Sequence, residues 1–138
     1  MRATGVLTML LWAAGSHAAE YPDMVGIWTG GVRIVSSGEE VRNQVAAGGA
    51  VIQAVNLEFT VTYQDNEVFI GESRSDAPGA TSTPVWGAIR STGREAVFVT
   101  RNGGRGQLWF SSPTAFEFCF ANQTVEQMSA YCATLTKR

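Results

Sequence analysis

The sequence predicts an all-β protein, an eight-stranded antiparallel up-and-down β-barrel with one or two short helical turns in its loops. Three observations carry that prediction. After Gly26 the chain breaks into short apolar or alternating runs punctuated by Gly, Asn, Asp, Ser and Pro, the pattern of an antiparallel meander. Most of the connections are short and built from turn residues, so neighbours in sequence become hairpin partners. No long helical periodicity competes, and closing the sheet on itself removes its exposed edges. Glycines inside the runs, Gly30, Gly71, Gly87 and Gly106, favour a barrel over the alternative sandwich, because coiled strands need places to bend.

The chain begins with a segment of another kind. Met1 to Ala18 reads as a secretory leader: Arg2 is its single charge, Val6 to Ala14 its apolar stretch, and Ser16-His17-Ala18 its small-x-small cleavage signature. The apolar stretch is too short to span a bilayer as an anchor. The working protein is then residues 19–138, one domain, secreted or periplasmic. Cleavage also removes His17, the only histidine.

Eight strands are expected after the leader: Gly26 to Val35, Val55 to Gln64, Glu67 to Arg74, Pro84 to Arg90, Ala96 to Arg101, Arg105 to Phe110, Ala115 to Ala121 and Ala130 to Lys137. Asp65-Asn66, Ser91 to Arg94, Asn102 to Gly104 and Ser111 to Thr114 serve as turns. Two longer connections carry capping-box signals: Ser37-Gly38-Glu39-Glu40, with Gly48 as a C-cap, and Thr124-Val125-Glu126-Gln127. Each predicts a helical turn, and the Ser36 to Ala50 connection is placed to gate one end of the barrel. A third, Ser75 to Thr83, has no periodicity and is expected to be exposed and mobile.

Residues paired across a hairpin have a constant index sum, which gives the register. Pairing Cys119 with Cys132 sets Phe116, Phe118 and Phe120 opposite Leu135, Ala133 and Tyr131 on an interior face, with the disulfide and Glu117 on the outer wall. The Asp65-Asn66 turn pairs Tyr63 with Val68 and Phe59 with Glu72, which puts the Glu72 carboxylate on an apolar face, either as a polar contact at a pocket mouth or, the favoured reading, as a strand-end glutamate reaching solvent or pairing with Arg74. The middle turns pair Phe98 with Gly87 and with Leu108. The Ser111 to Thr114 turn decides which face joins the Phe116 face inside, since a one-residue change in its length swaps the two: the favoured reading puts Phe98, Leu108 and Phe110 inside and Trp86 and Trp109 in an external aromatic patch beside arginines, and the other has the two tryptophans line the cavity. Trp28, Glu72, Trp86 and Trp109 are the candidate ligand-binding residues.

Composition excludes several chemistries. Ten basic against twelve acidic residues give a net charge of −2, which offers no footprint for nucleic acid. Without His17 there is no histidine triad or imidazole metal ligand. Cys119 and Cys132 lack a CxxC spacing and, in an oxidising compartment, form a structural disulfide contributing about 3 kcal/mol. Calcium loops, phosphate loops and dinucleotide fingerprints are absent from the sequence. Asn122-Gln123-Thr124 matches a glycosylation sequon. No enzymatic role, cofactor or metal is expected.

Gly26-Ile27-Trp28 on the first strand resembles the Gly-x-Trp element of lipocalins and the opening of avidin-like barrels. The resemblance implies that Lys137-Arg138 supplies the arginine that packs across that tryptophan, and it covers the tripeptide and the strand rhythm. Other lipocalin motifs and the avidin biotin-contact pattern are missing. The expected protein is an exported, calycin-type, non-enzymatic binding module for a small apolar or amphipathic ligand. The alternative is a protein-interaction module, an envelope accessory factor or an inhibitor of a secreted enzyme, that uses the Trp86 and Trp109 surface against another exported protein.

Overall fold

The computed structural model of the chain describes residues 21–38, 50–124 and 127–138. The leader Met1 to Ala18 and residues 39–49, which hold most of the first capping-box segment, lie outside the described residues. Eight strands form a closed barrel in which each hydrogen-bonds to the next and the last returns to the first. They are β1 (Gly26–Gly38), β2 (Ala50–Asp65), β3 (Val68–Ser75), β4 (Thr83–Ile89), β5 (Glu95–Thr100), β6 (Arg105–Ser112), β7 (Ala115–Gln123) and β8 (Gln127–Lys137). Every pairing is antiparallel. Among the described residues there is no helix: Ser37 and Gly38 extend β1, and Gln127 begins β8.

Five strands, β1, β2, β6, β7 and β8, run at least two residues further than expected. The β1–β2 ladder continues to Ser37 opposite Ala50, although its last residues are polar and resemble a loop in sequence. The reason lies in what those residues face. Inward positions near this end line a cavity rather than the packed core, so the alternation continues in polar residues.

Two registers differ from expectation. Asn66 adopts φ 50° and the β2–β3 turn is Asn66-Glu67, with Asp65 paired to Val68. A bulge between Val61 and Tyr63 then shifts the ladder so that Phe59 opposes Ser73 and Thr60 opposes Glu72. The bulge keeps Phe59 and Val61 buried and turns Tyr63 outward, 55% exposed, because an extra residue reverses the side-chain alternation. On β5–β6, Phe98 pairs with Gly106 rather than Leu108. That slip is of two residues, so the faces are unchanged. The β7–β8 hairpin has the expected register throughout, with Cys119 opposite Cys132 and disulfide-bonded.

The core fills one end of the lumen. Trp28, Phe59, Phe69, Leu108, Phe116, Phe118 and Leu135 are essentially inaccessible, and their rings meet edge-on or tilted at centroid separations such as 4.8 Å for Trp28 and Phe116 and 5.7 Å for Phe59 and Phe98. The segment before β1 crosses beneath this end. Gln64 holds it there, accepting from the Met24 amide at 2.7 Å and donating to the Pro22 carbonyl at 3.1 Å, while the Trp28 indole N–H donates to the Met24 carbonyl at 2.8 Å. Met24 is fully buried in consequence.

Candidate functional site

At the opposite end the described residues leave the lumen open. Along the inward positions of five strands the residues change from apolar to uncharged polar: Val32 and Ile34 lead to Ser36 on β1, Phe69 and Gly71 to Ser73 and Ser75 on β3, Ala96 and Phe98 to Thr100 on β5. On β7 Phe118 and Phe120 lead to Asn122, and on β8 Ala133 and Tyr131 lead to Ser129. Above the core this leaves a cavity of about 250 Å³, slightly below the ordinary range of small-molecule pockets. Leu57, Phe59, Phe98 and Phe118 make its floor, and Ser36, Gln53, Ser73, Thr83, Thr100, Asn122, Ser129 and Tyr131 are among its walls.

The cavity exists because two phenylalanines lie flat. A Cβ on Gly106 would overlap the Phe98 ring, and one on Gly104 would overlap the Phe120 ring. With glycine at both positions the rings settle against the start of β6 and the turn before it, and stack on each other at 6.0 Å with their planes 10° apart. Rings that would otherwise project across the lumen become part of its wall.

No charged group points into this space from the described residues. Arg74 borders it but belongs to the outer face, where its guanidinium meets the Glu58 carboxylate at 2.9 Å. Tyr131 is the one ionisable side chain of the wall among the described residues, and burial pushes its phenol up to about 12, because the anion would lose its hydration. Its ring packs on Phe120 at 5.2 Å and on Phe118 at 5.7 Å. Asn122 contributes a different feature: its Oδ1 is buried and accepts no hydrogen bond.

The β3–β4 loop closes one side of the cavity through Ala77 and Thr81. Expected to be mobile, it is pinned by a three-part latch. The Asp76 carboxylate accepts from the Asn56 amide and from its side chain, both at 2.8 Å, and the Asp76 amide donates to the Asn56 carbonyl at 3.0 Å. The hydrogen bond from the Asn56 side chain is the main cause holding the Asp76 carboxyl below its ordinary value. The Thr100 hydroxyl donates to the Asn102 side-chain carbonyl at 2.6 Å and steadies the β5–β6 turn.

None of the four sequence-predicted ligand residues lines the cavity. Trp28 plugs the closed end. Glu72 lies on the outer wall, not on the apolar face, because the bulge and the shifted turn pair it with Thr60; it accepts from the Ser82 hydroxyl at 2.7 Å. Trp86 is 41% exposed between Ile70 and Val99. Trp109 is half-buried and sits between Glu95 and Glu117, so carboxylates rather than arginines flank it. The two tryptophans do not form one patch: their β5 partners, Val99 and Glu95, are four residues apart, and Val97 lies between. The residue across Trp28 is Lys137, not an arginine. Its Nζ lies 5.4 Å from the ring centroid and pairs with Asp23 at 3.0 Å, while Arg138 turns to the Ile27 carbonyl and toward Glu58.

Asn122 and Tyr131 stand out in the sequence only as part of a sequon and as a hairpin partner of Phe120. The usable signal for both is the inward alternation itself, which turns from Phe and Ala to Asn and Ser over one strand end. Among the described residues no group of three or more histidines, cysteines and carboxylates could hold a metal, and no helix is long and apolar enough to cross a membrane.

No protein-family model matches the chain, and comparison with curated proteins finds no match. Among solved structures it is similar to EF1p2_mFAP2b bound to DFHBI, with 12% identity over 83% of this chain and 94% of that one at a TM-score of 0.49. It is also similar to the S-type phycobiliprotein lyase CPES from Guillardia theta, with 14% identity over 83% and 88% and a TM-score of 0.49. A redesigned beta barrel, b11L5F_LGL, aligns with 14% identity over 83% and 91% at a TM-score of 0.45.

Proposed function

We propose that the protein is an exported, non-enzymatic barrel that binds a small amphipathic ligand in the open end of its lumen. The observation that supports this most is the cavity of about 250 Å³ with an aromatic floor and an uncharged hydrogen-bonding wall. Such a lining suits a ligand that buries an apolar part against Phe59, Phe98 and Phe118 and leaves polar atoms among the hydroxyls. The described interior lacks the acid and base pairs with shifted titration that active sites use: the single shifted group, Tyr131, is shifted away from reactivity at neutral pH. The disulfide on the outer wall suits an oxidising compartment.

Saturation-transfer NMR against a panel of small aromatic and amphipathic compounds tests the proposal. Wild-type protein is expected to give saturable binding, and Ser73→Phe, which places a ring in the cavity, is expected to remove it. Equal binding by both proteins would place the ligand elsewhere.

A second reading has one specific support. Val68, Ile70, Trp86, Val97 and Val99 are exposed on adjacent strands β3, β4 and β5, an apolar face suited to a protein partner. Recovery of a partner from the exported fraction by wild-type protein, lost on Trp86→Ala, would favour it.

A further inference from the structure

The cavity wall narrows the chemical character of the ligand. We propose that the site is built for a neutral, planar aromatic molecule carrying one hydrogen-bond donor, which it directs to the side-chain carbonyl of Asn122 while its ring lies against the Phe98 and Phe120 stack. This rests on the cavity being the binding site. It concerns which molecules the cavity selects.

Three observations converge on it. The first is the orphaned Asn122 Oδ1. A buried acceptor without a partner costs free energy that a donor recovers. Asn122 lines the cavity, and the terminal torsion of an asparagine is soft, so a modest rotation presents the oxygen to the lumen. The second is Tyr131. Asn122 opposes Ser129 and Phe120 opposes Tyr131, which makes Asn122 and Tyr131 diagonal neighbours on the inner face, about 7 Å apart. Tyr131 is part of the same wall, and a phenol hydroxyl both donates and accepts. One hydroxyl on a ligand could therefore donate to Asn122 and accept from Tyr131.

The third is the combination of shape and charge. Phe98 and Phe120 are held flat and nearly parallel by Gly106 and Gly104, a surface that favours stacking of a planar ring over packing of a branched or flexible chain. The volume of about 250 Å³ leaves little room for a long acyl tail. The one cation at the rim, Arg74, is turned outward and paired with Glu58, no carboxylate among the described residues lines the cavity to meet an amine, and burying either charge unpaired is costly. A fatty acid and an organic cation are both poor fits.

Three probes that share one ring system separate these contributions by calorimetry at neutral pH: naphthol, which is neutral and donates; methoxynaphthalene, which is neutral and cannot donate; and naphthoate, which is anionic. The wild-type protein is expected to bind naphthol roughly tenfold more tightly than either of the others. In Asn122→Leu, naphthol affinity should fall to that of methoxynaphthalene, while methoxynaphthalene affinity stays unchanged and so reports an intact cavity. Equal affinities of all three for the wild-type protein, a preference for naphthoate, or full naphthol selectivity in Asn122→Leu would overturn the inference and leave the cavity proposal standing. Absence of saturable binding by every probe would count against the cavity proposal as well.

Discussion

The two ends of this barrel are made from the same eight strands and differ in what their inward positions carry. At the closed end Trp28, Leu108, Phe116 and Leu135 interlock with essentially no accessible surface, and a buried segment led by Met24 is stitched beneath them. At the open end the inward residues are Ser36, Ser73, Thr100, Asn122 and Ser129, and the rings of Phe98 and Phe120 lie aside against glycines. The packed core is concentrated at one end and the proposed recognition site at the other. A barrel of this size can be filled completely; here the aromatic filling stops partway and leaves a chamber.

Substitutions at the two ends should therefore separate stability from binding. The largest effect is expected at the closed end, where Phe116→Ala removes a ring in contact with Trp28, Phe59, Phe110 and Phe118. Urea unfolding should show a loss of about 3–5 kcal/mol. The double change Cys119→Ser with Cys132→Ser releases the clamp on the β7–β8 hairpin and should cost about 2–4 kcal/mol, measured the same way. Because these cysteines are one residue from Phe120 and Tyr131, that variant should also bind ligand more weakly.

Gly106→Ala probes the boundary between the two ends. The new methyl group displaces the Phe98 ring into the lumen, and overpacking of this kind costs about 1–3 kcal/mol. Here the loss of ligand binding should exceed what the stability loss accounts for. If Gly106→Ala binds normally, the flat rings are not what keeps the cavity open.

Tyr131 gives a smaller effect with a defined pH window. Its phenol in the folded protein is raised from 10.0 to about 12, so the unfolded chain ionises first. The stability attached to this difference is fully present below pH 10 and is lost as pH rises toward 12. Allowing for its partial exposure, the loss is about 1–2 kcal/mol. Denaturation midpoints of the wild type and Tyr131→Phe, followed across that range, should diverge, the wild type falling more steeply; parallel curves would mean that Tyr131 is not desolvated. Smallest of all, Ser73→Ala should change stability by less than about 1 kcal/mol, since it removes a hydroxyl from the cavity wall.

Much of the fold was legible in the sequence because the local signals agree. The β7–β8 hairpin was readable residue by residue, since a cysteine pair and an alternating Phe-x-Phe-x-Phe run specify the same register. The β2–β3 hairpin was not, because Asp65-Asn66-Glu67 accommodates a two-residue turn in two frames and the bulge near Thr62 has no signature in the sequence. The bulge, more than the turn frame, put Glu72 on the wrong face and so into the candidate site, since a two-residue slip keeps the faces and a one-residue bulge swaps them. The four candidate residues are large or charged, three tryptophans and a glutamate, and all lie away from the chamber. The cavity wall is instead serine, threonine and asparagine, residues that resemble loop or turn when the space they face is unknown. Strand ends were underestimated for the same reason: polar inward residues at Ser36 and Ser129 belong to the ladder but break the apolar alternation that marks it.

The contrast between the two ends depends on ligand entering the open one. Mapping backbone and aromatic chemical shifts of the isotope-labelled protein during titration with naphthol tests this most directly. Saturable shifts concentrated at Phe98, Phe120, Asn122 and Tyr131, with Met24, Trp28 and Leu135 unmoved, are the expected result. Shifts centred on Trp28 or on the outer face around Ile70, Trp86 and Val99, with Phe120 and Asn122 unmoved, would contradict it.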